Sequence, residues 1–159
     1  MSTDREAAYR REAEKLGFNP DAELAPGGNY LPFVIDARTI LVSGQIAREG
    51  DGRIVTGRAG EDVSLADAKR AAALSALRIL LLLRRATGGL DRIENITRIG
   101  AFVRCTGEFT QISEVADGAS DLLKAVLGES SGHARTSVGV YSLPKAAVVE
   151  VEASAVLRS

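Results

Sequence analysis

The sequence predicts an α+β fold, a two-layer sandwich in which two long helices cover one face of a mixed β-sheet. Two segments carry apolar residues at helical spacing, and several short segments have strand patterns. The two kinds of segment alternate along the chain, which favours helices packed against a sheet. With 159 residues, 45% of them apolar, the chain is long enough for one domain with a buried core. The predicted order of this domain is β-β-α-β-α-β-β.

The first 28 residues are predicted to be an extension that precedes the domain. Residues 3–16 form a mostly charged helical segment that Gly17 can end, which is typical of a helix appended to the surface. Residues 18–28 contain Asn-Pro, Ala-Pro and Gly-Gly pairs, which favour a loop. We therefore divide the chain into an N-terminal helix and loop, residues 1–28, and a domain of residues 29–159.

Short strands are predicted next. Residues 34–35 and 40–46 have strand patterns on either side of a turn, and residues 53–56 follow a Gly-Asp-Gly turn as a third short strand. A longer strand is predicted over residues 92–104, with Ile93, Thr97 and Ile99 on one face.

Two helices flank that longer strand. Ser64 is a candidate cap for the first, which runs to Arg84-Arg85 and is ended by Gly88-Gly89. The second covers residues 109–127 and contains Gly118, a residue that favours a kink or break.

The last quarter of the chain is predicted to be a hairpin of two strands joined by a turn at Pro144. This pairing places Glu150 opposite Val140, and Arg135 then lies about 16 Å away along the strand. The two charged side chains would not meet easily in one chain, so a site that uses both is expected at a subunit junction. The open sheet face is expected to carry apolar side chains from Val149 or Val151, and self-association would cover it.

Composition excludes several classes of function. The net charge of -1 gives no electrostatic attraction to nucleic acid or to an anionic membrane. One cysteine, Cys105, and one histidine, His133, make a disulfide impossible within the chain and a zinc site unfavourable. No phosphate-binding or dinucleotide-binding motif is present, and no metal or cofactor is expected. Without a visible signal peptide or a long apolar run, the protein is predicted to be cytoplasmic.

Four positions combine strand or loop patterns with chemistry, and each has a simpler alternative. Arg135 at the mouth of a strand can bind a carboxylate, or it can be a surface arginine paired with a nearby acid. Glu150 shares a strand face with Glu152, and is either a partly desolvated acid or part of a solvated face. Gly44 permits close backbone approach or marks a bulge, and Tyr30 closes a pocket or is a half-buried loop residue.

Two stretches resemble the RidA/YjgF family. The string HARTSVGVYSLPKAAVVEVEA, residues 133–153, resembles its C-terminal signature, and ILVSGQI, residues 40–46, resembles an early strand motif. The resemblance implies a chorismate-mutase-like fold and a homotrimer with pockets at the subunit junctions. It also implies hydrolysis of reactive 2-enamines and 2-imines to 2-oxo acids and ammonia, without metal or cofactor.

The resemblance also implies roles for individual residues. By position, Arg135 would hold the substrate carboxylate, and the N–H groups of Gly44 and Ser137 would support substrate or water. Glu150 would orient the attacking water, and Tyr30 would close the pocket.

The chain departs from the family pattern at two of these places. Leu-Pro-Phe follows Tyr30 where a polar, glycine-containing turn is usual, and Ser137 replaces a common cysteine. The alternative function is a non-catalytic trimer that binds small carboxylates as a sensor or scaffold. A ribonuclease activity is the third possibility, which the near-neutral charge and an aromatic content of 4% disfavour.

Overall fold

The computed structural model describes residues 2–159, with side chains from residue 4 onward. It confirms the α+β fold with a mixed sheet of five strands. The helices are α1 (Ser2–Lys15), α2 (Leu65–Thr87) and α3 (Ile112–Leu127). The strands are β1 (Phe33–Asp36), β2 (Thr39–Ile46), β3 (Ile93–Arg104), β4 (Ala134–Val140) and β5 (Val149–Leu157). Within the described residues, no helix has the length and apolar character needed to cross a membrane.

The sheet has the strand order β1-β2-β5-β3-β4. All neighbouring pairs are antiparallel except β3 and β4, which are parallel. Parallel strands need a crossover connection, and α3 supplies it here. The final strand β5 therefore lies in the middle of the sheet, where both of its edges are paired.

The predicted C-terminal hairpin is wrong. β4 and β5 are consecutive in the chain, but β3 lies between them and pairs with both. Glu150 is paired with Phe102 and not with Val140. The connection contains Lys145 and Ala146 at positive φ, and it carries the chain across β3 without forming a two-strand turn.

The predicted strand at residues 53–56 is also absent. Its only strand-like backbone pairings are two isolated bridges, Arg48 with Ile54 and Thr56 with Ala147. Each bridge is a single pair, so this glycine-flanked segment crosses the end of the sheet as a loop.

The two predicted long helices are confirmed, with small changes at their ends. The Ser64 hydroxyl accepts a hydrogen bond from the Asp67 N–H at 3.1 Å, and Gly88 ends α2 at φ 77. Gly118 does not kink α3. A Cβ at that position would lie 2.0 Å from the Lys69 carbonyl oxygen, so the glycine instead lets α3 approach α2 closely.

The core lies between α2, α3 and one face of the sheet. Val149 and Val151 are fully buried on this face, so the prediction that they lie on the open face is wrong. Thr97 is exposed because the register of β3 against β5 shifts twice, which moves it off the face it was expected to share. The open face instead carries Glu150, Glu152 and neighbouring side chains.

The N-terminal helix is docked on the core, contrary to the expectation of a surface appendage. Tyr9 and Ala13 are fully buried in the main hydrophobic cluster. Arg5 donates hydrogen bonds to the carbonyl oxygens of Leu90, at 3.1 Å, and Ile93, at 2.8 Å. A few apolar and polar contacts therefore fix a helix whose composition is mostly charged.

Candidate functional site

A cavity of about 210 Å³ lies beside β2, between α2, the loop that precedes β1 and the turn before β5. It brings together three of the five predicted site residues, Tyr30, Gly44 and Glu150. Arg135 and Ser137 do not line it. Its wall combines apolar side chains with several polar ones (Leu24, Ala25, Pro26, Gly27, Tyr30, Pro32, Gly44, Gln45, Ile46, Arg48, Arg78, Leu82, Pro144, Lys145, Glu150).

The Glu150 carboxyl packs directly on the backbone of Gly44. The pairing of β2 with β5 shifts register between Val42 and Gln45, so Gly44 lies in a bulge. A Cβ on Gly44 would lie 2.1 Å from Glu150 Oε1 and 2.9 Å from its Cδ. Only glycine therefore leaves room for the carboxyl in this position. The two alternatives predicted for Gly44, a bulge and a site of close backbone approach, both describe it.

The environment of Glu150 favours its protonated form. Burial is the larger cause, and the negative charge of Glu152 is the second, and both raise the pKa of the Glu150 carboxyl above its ordinary 4.5. Residues 149 and 151 anchor the strand in the core, so the intervening Glu150 points to the opposite face of the sheet. It lines the cavity from that face. A carboxyl of this kind can exchange protons with a bound water or substrate.

Tyr30 forms part of the cavity rim. Its side chain is 50% exposed, and its hydroxyl accepts a hydrogen bond from the Gly27 N–H at 3.2 Å. The ring also lies against Gly28, where a Cβ would come within 3.3 Å of it. The two glycines of the loop thus hold the tyrosine at the rim of the cavity.

Arg135 is bound to α3 and lies away from the cavity. Its guanidinium donates to Asp117 Oδ1 at 2.8 Å, to Ser113 Oγ at 2.8 Å and to Ser120 Oγ at 3.0 Å. The alternative of an arginine paired with a nearby acid therefore describes its state in this chain.

The sheet also separates Arg135 from Glu150. Arg135 pairs with Ile99 and Glu150 with Phe102, which is three residues along β3 and two strand spacings across. These offsets correspond to about 14 Å, with the side chains on opposite faces of the sheet. The pair does not meet in one chain, as expected, but the reason is the intervening β3 and not distance along a hairpin.

Two other polar residues near Arg135, Ser137 and His133, also lie outside the cavity. Ser137 pairs with Ala101 on the edge strand β4, two residues after Arg135. His133 Nε2 lies 2.9 Å from Ser120 Oγ, the same hydroxyl that accepts from Arg135, and its other ring nitrogen contacts the Ser131 carbonyl oxygen. The histidine links the end of α3 to β4 and is half-buried. No group of three potential metal ligands from His, Cys, Asp and Glu occurs in the part of the chain that the structure describes.

Sequence reasoning missed Arg78. This residue of α2 lines the cavity, yet it lies in the middle of an apolar helical run. The sequence feature that could have identified it is a single cation between Leu74 and Leu83, a stretch that otherwise carries no charge.

Comparison with known proteins gives the family. The family model described as "YjgF/chorismate_mutase-like, putative endoribonuclease" matches residues 15–155. The chain belongs to the YjgF family. Protein TCP17 of Trypanosoma cruzi is 38% identical to this YjgF member over 141 residues, which are 88% of each chain.

Solved structures agree with this assignment. The protein Atu1372 from Agrobacterium tumefaciens is 38% identical, with a TM-score of 0.85, and the match covers 97% of this chain and 96% of that one. The yjgF gene product of E. coli is 23% identical with a TM-score of 0.63, covering 89% and 98%, which supports the shared fold.

The raised pKa of Glu150 predicts a pH-dependent stability. Because folding favours the protonated carboxyl, its contribution is fully present below the ordinary glutamate range and is lost as pH rises through the folded-state pKa. Glu150→Gln avoids that loss, so its thermal midpoint should rise relative to wild type as the pH increases from about 4 toward neutrality. Thermal unfolding across this range measures the difference. The exposed Glu108→Gln variant is the control, and a pH-independent difference for Glu150→Gln would contradict the account.

Proposed function

We propose that this protein hydrolyses reactive 2-imines and 2-enamines to 2-oxo acids and ammonia in the Glu150 cavity. The observation that carries the proposal is the Glu150 carboxyl, half-buried against the Gly44 backbone in a small cavity and raised in pKa. The chain belongs to the YjgF family, and the sequence resemblance to the RidA/YjgF family implies this activity. The cavity is smaller than the roughly 300–1,000 Å³ of pockets for drug-sized ligands, which suits a small acid.

The reaction needs little beyond positioning and proton transfer. The imine carbon is already electrophilic, so a water held by Glu150 attacks C2 while the carboxylate takes one of its protons. Glu150 passes that proton to the nitrogen, and the hydroxyl proton on C2 follows it through the same carboxylate. The C–N bond then breaks, ammonia leaves, and C2 becomes the carbonyl of the 2-oxo acid. An enamine enters the same sequence once the protonated carboxyl has delivered a proton to its carbon. One water is consumed and one ammonia is released.

Arg135 and Ser137 join this site only if another copy of the chain supplies them. Both lie on β4, the strand at the edge of the sheet, and an edge strand offers unpaired backbone groups to a neighbour. In the homotrimer that we propose, Arg135 of the partner subunit would approach the cavity and exchange Asp117 for the substrate carboxylate. Tyr30 would close the entrance over the bound substrate.

Binding without catalysis is the second candidate. It is favoured by the position of Arg135, which pairs with Asp117 away from the Glu150 cavity, so the two groups expected to act together in hydrolysis lie apart in this chain. A protein of this kind would bind small carboxylates and leave imines unchanged.

An imine-loss assay tests the first candidate. An amino-acid oxidase generates 2-iminobutyrate in place, and wild-type protein is expected to accelerate its disappearance. Glu150→Gln should lower kcat about a hundredfold, because general acid–base catalysis is typically worth that much. The control Glu108→Gln makes the same chemical change at an exposed position outside the cavity, and it should stay within about threefold of wild type. No acceleration by wild type would reject hydrolysis and leave binding.

Size-exclusion chromatography with light scattering tests the trimer. The expected mass is three times the 16.8 kDa of the chain. A mass of one chain at micromolar concentration would show a monomer. No partner subunit would then supply Arg135 and Ser137, and both would be excluded from the proposed site.

A further inference from the structure

Arg78 is an arginine buried in an apolar helix face. It is only 9% exposed, and the residues beside it, Leu77 and Ile79, are fully buried. Charged side chains are almost never buried to this extent unless they are paired. Packing alone therefore does not explain an arginine at this position.

Arg78 has no counter-charge within the chain. Its Nε is buried without a hydrogen-bond partner, and none of the ion pairs among the described side chains includes it. Burial, followed by the charge of Arg48, lowers its pKa to about 10. Two other arginines of the same helix are paired, Arg70 with Glu49 and Arg84 with Glu6. A desolvated and unpaired cation is costly, so a missing anion is the simplest explanation.

The cavity beside β2 is the place for that anion. Arg78 and Leu82, one helical turn apart, form its wall on the α2 side, and Gly44 and Glu150 line it too. Arg48 also lines the cavity, but its guanidinium already donates to the Gly52 carbonyl oxygen at 2.7 Å. Arg78 is thus the buried cation of the cavity whose hydrogen-bonding capacity is unused.

A second cavity, of about 250 Å³, also borders Arg78, but its charges favour an anion less. It is lined by Glu23 and by Glu49, which is paired with Arg70, as well as by Arg48 and Arg78. In the first cavity, Glu150 is the single acidic side chain among three basic ones, Arg48, Arg78 and Lys145. The balance of charge therefore directs an anionic ligand to the Glu150 side.

We propose that Arg78 binds the carboxylate of a small 2-oxo or 2-imino acid in the Glu150 cavity. The class of acid rests on the proposed function, whereas the anion site rests on the burial and missing partner of Arg78. A guanidinium can bind a carboxylate through two parallel hydrogen bonds. The apolar wall (Leu24, Pro32, Ile46, Leu82) fits a short aliphatic side chain on the same molecule. Arg78 and Glu150 then act from the same chain, and in the proposed trimer Arg135 of the partner subunit would be a second cation on the same carboxylate.

Calorimetric titration with 2-oxobutyrate, a stable product of the proposed reaction, tests this assignment. Arg78→Met keeps an unbranched side chain in the helix and removes the charge, and it should weaken binding about tenfold or more. Arg48→Met is the matched control, since it removes a cation of the same cavity that is already hydrogen-bonded. Arg48→Met should stay within about threefold of wild type.

Two further measurements separate binding from folding. Arg78→Met removes an unpaired buried charge, so its thermal midpoint without ligand should equal or exceed that of wild type. Arg78→Lys keeps the charge but loses the planar fork, and its affinity should be intermediate. The neutral amide of 2-oxobutyrate should bind wild type more weakly than the acid does, whereas Arg78→Met should not distinguish the two.

Wild-type affinity in Arg78→Met overturns the assignment. Absence of 2-oxobutyrate binding by wild type at millimolar concentration also overturns it. Binding that depends on Arg78 without any imine turnover would reject the proposed hydrolysis and retain the anion site. Imine turnover with unchanged KM in Arg78→Met would retain the hydrolysis and reject the role of Arg78.

Discussion

The contact between the Glu150 carboxyl and the Gly44 backbone determines the geometry of the cavity. It exists because β2 contains a bulge at Gly44, and because Val149 and Val151 anchor the neighbouring strand in the core. Without a Cβ at residue 44, the carboxyl lies beside main-chain atoms and is partly removed from water. Burial and the nearby Glu152 then raise its pKa. One backbone irregularity thus links the sheet register to the proposed proton chemistry.

Much of the fold could be predicted because it depends on local patterns. The helical periods, the Ser64 cap and the Gly88 stop specify α2 within a few residues, and the parallel crossover follows from a strand, a helix and a strand. The order of strands within the sheet could not be predicted from such local patterns. A hairpin and a wide connection across β3 both have strands of alternating apolar and polar residues on either side of a proline turn. The sequence pattern therefore does not distinguish them.

The site shows the same limit. Tyr30, Gly44 and Glu150 carry short-range signals, namely a glycine loop, a strand glycine and an alternating acid, and the fold brings them together. Arg135 was expected to be available to a ligand, but its contact with Asp117 depends on how α3 packs against β4. Arg78 gave only a weak signal, because the absence of a partner for a buried cation is a property of the whole fold. Its importance depends on the cavity around it.

A crystal structure of the wild-type protein with 2-oxobutyrate tests the central claim most directly. We expect the ligand in the cavity beside β2, with its carboxylate on the Arg78 guanidinium and C2 within reach of a water bound to Glu150. A ligand whose carboxylate is held elsewhere, with Arg78 still unpaired, would contradict the assignment. A ligand bound outside the cavity would contradict the whole account of the site.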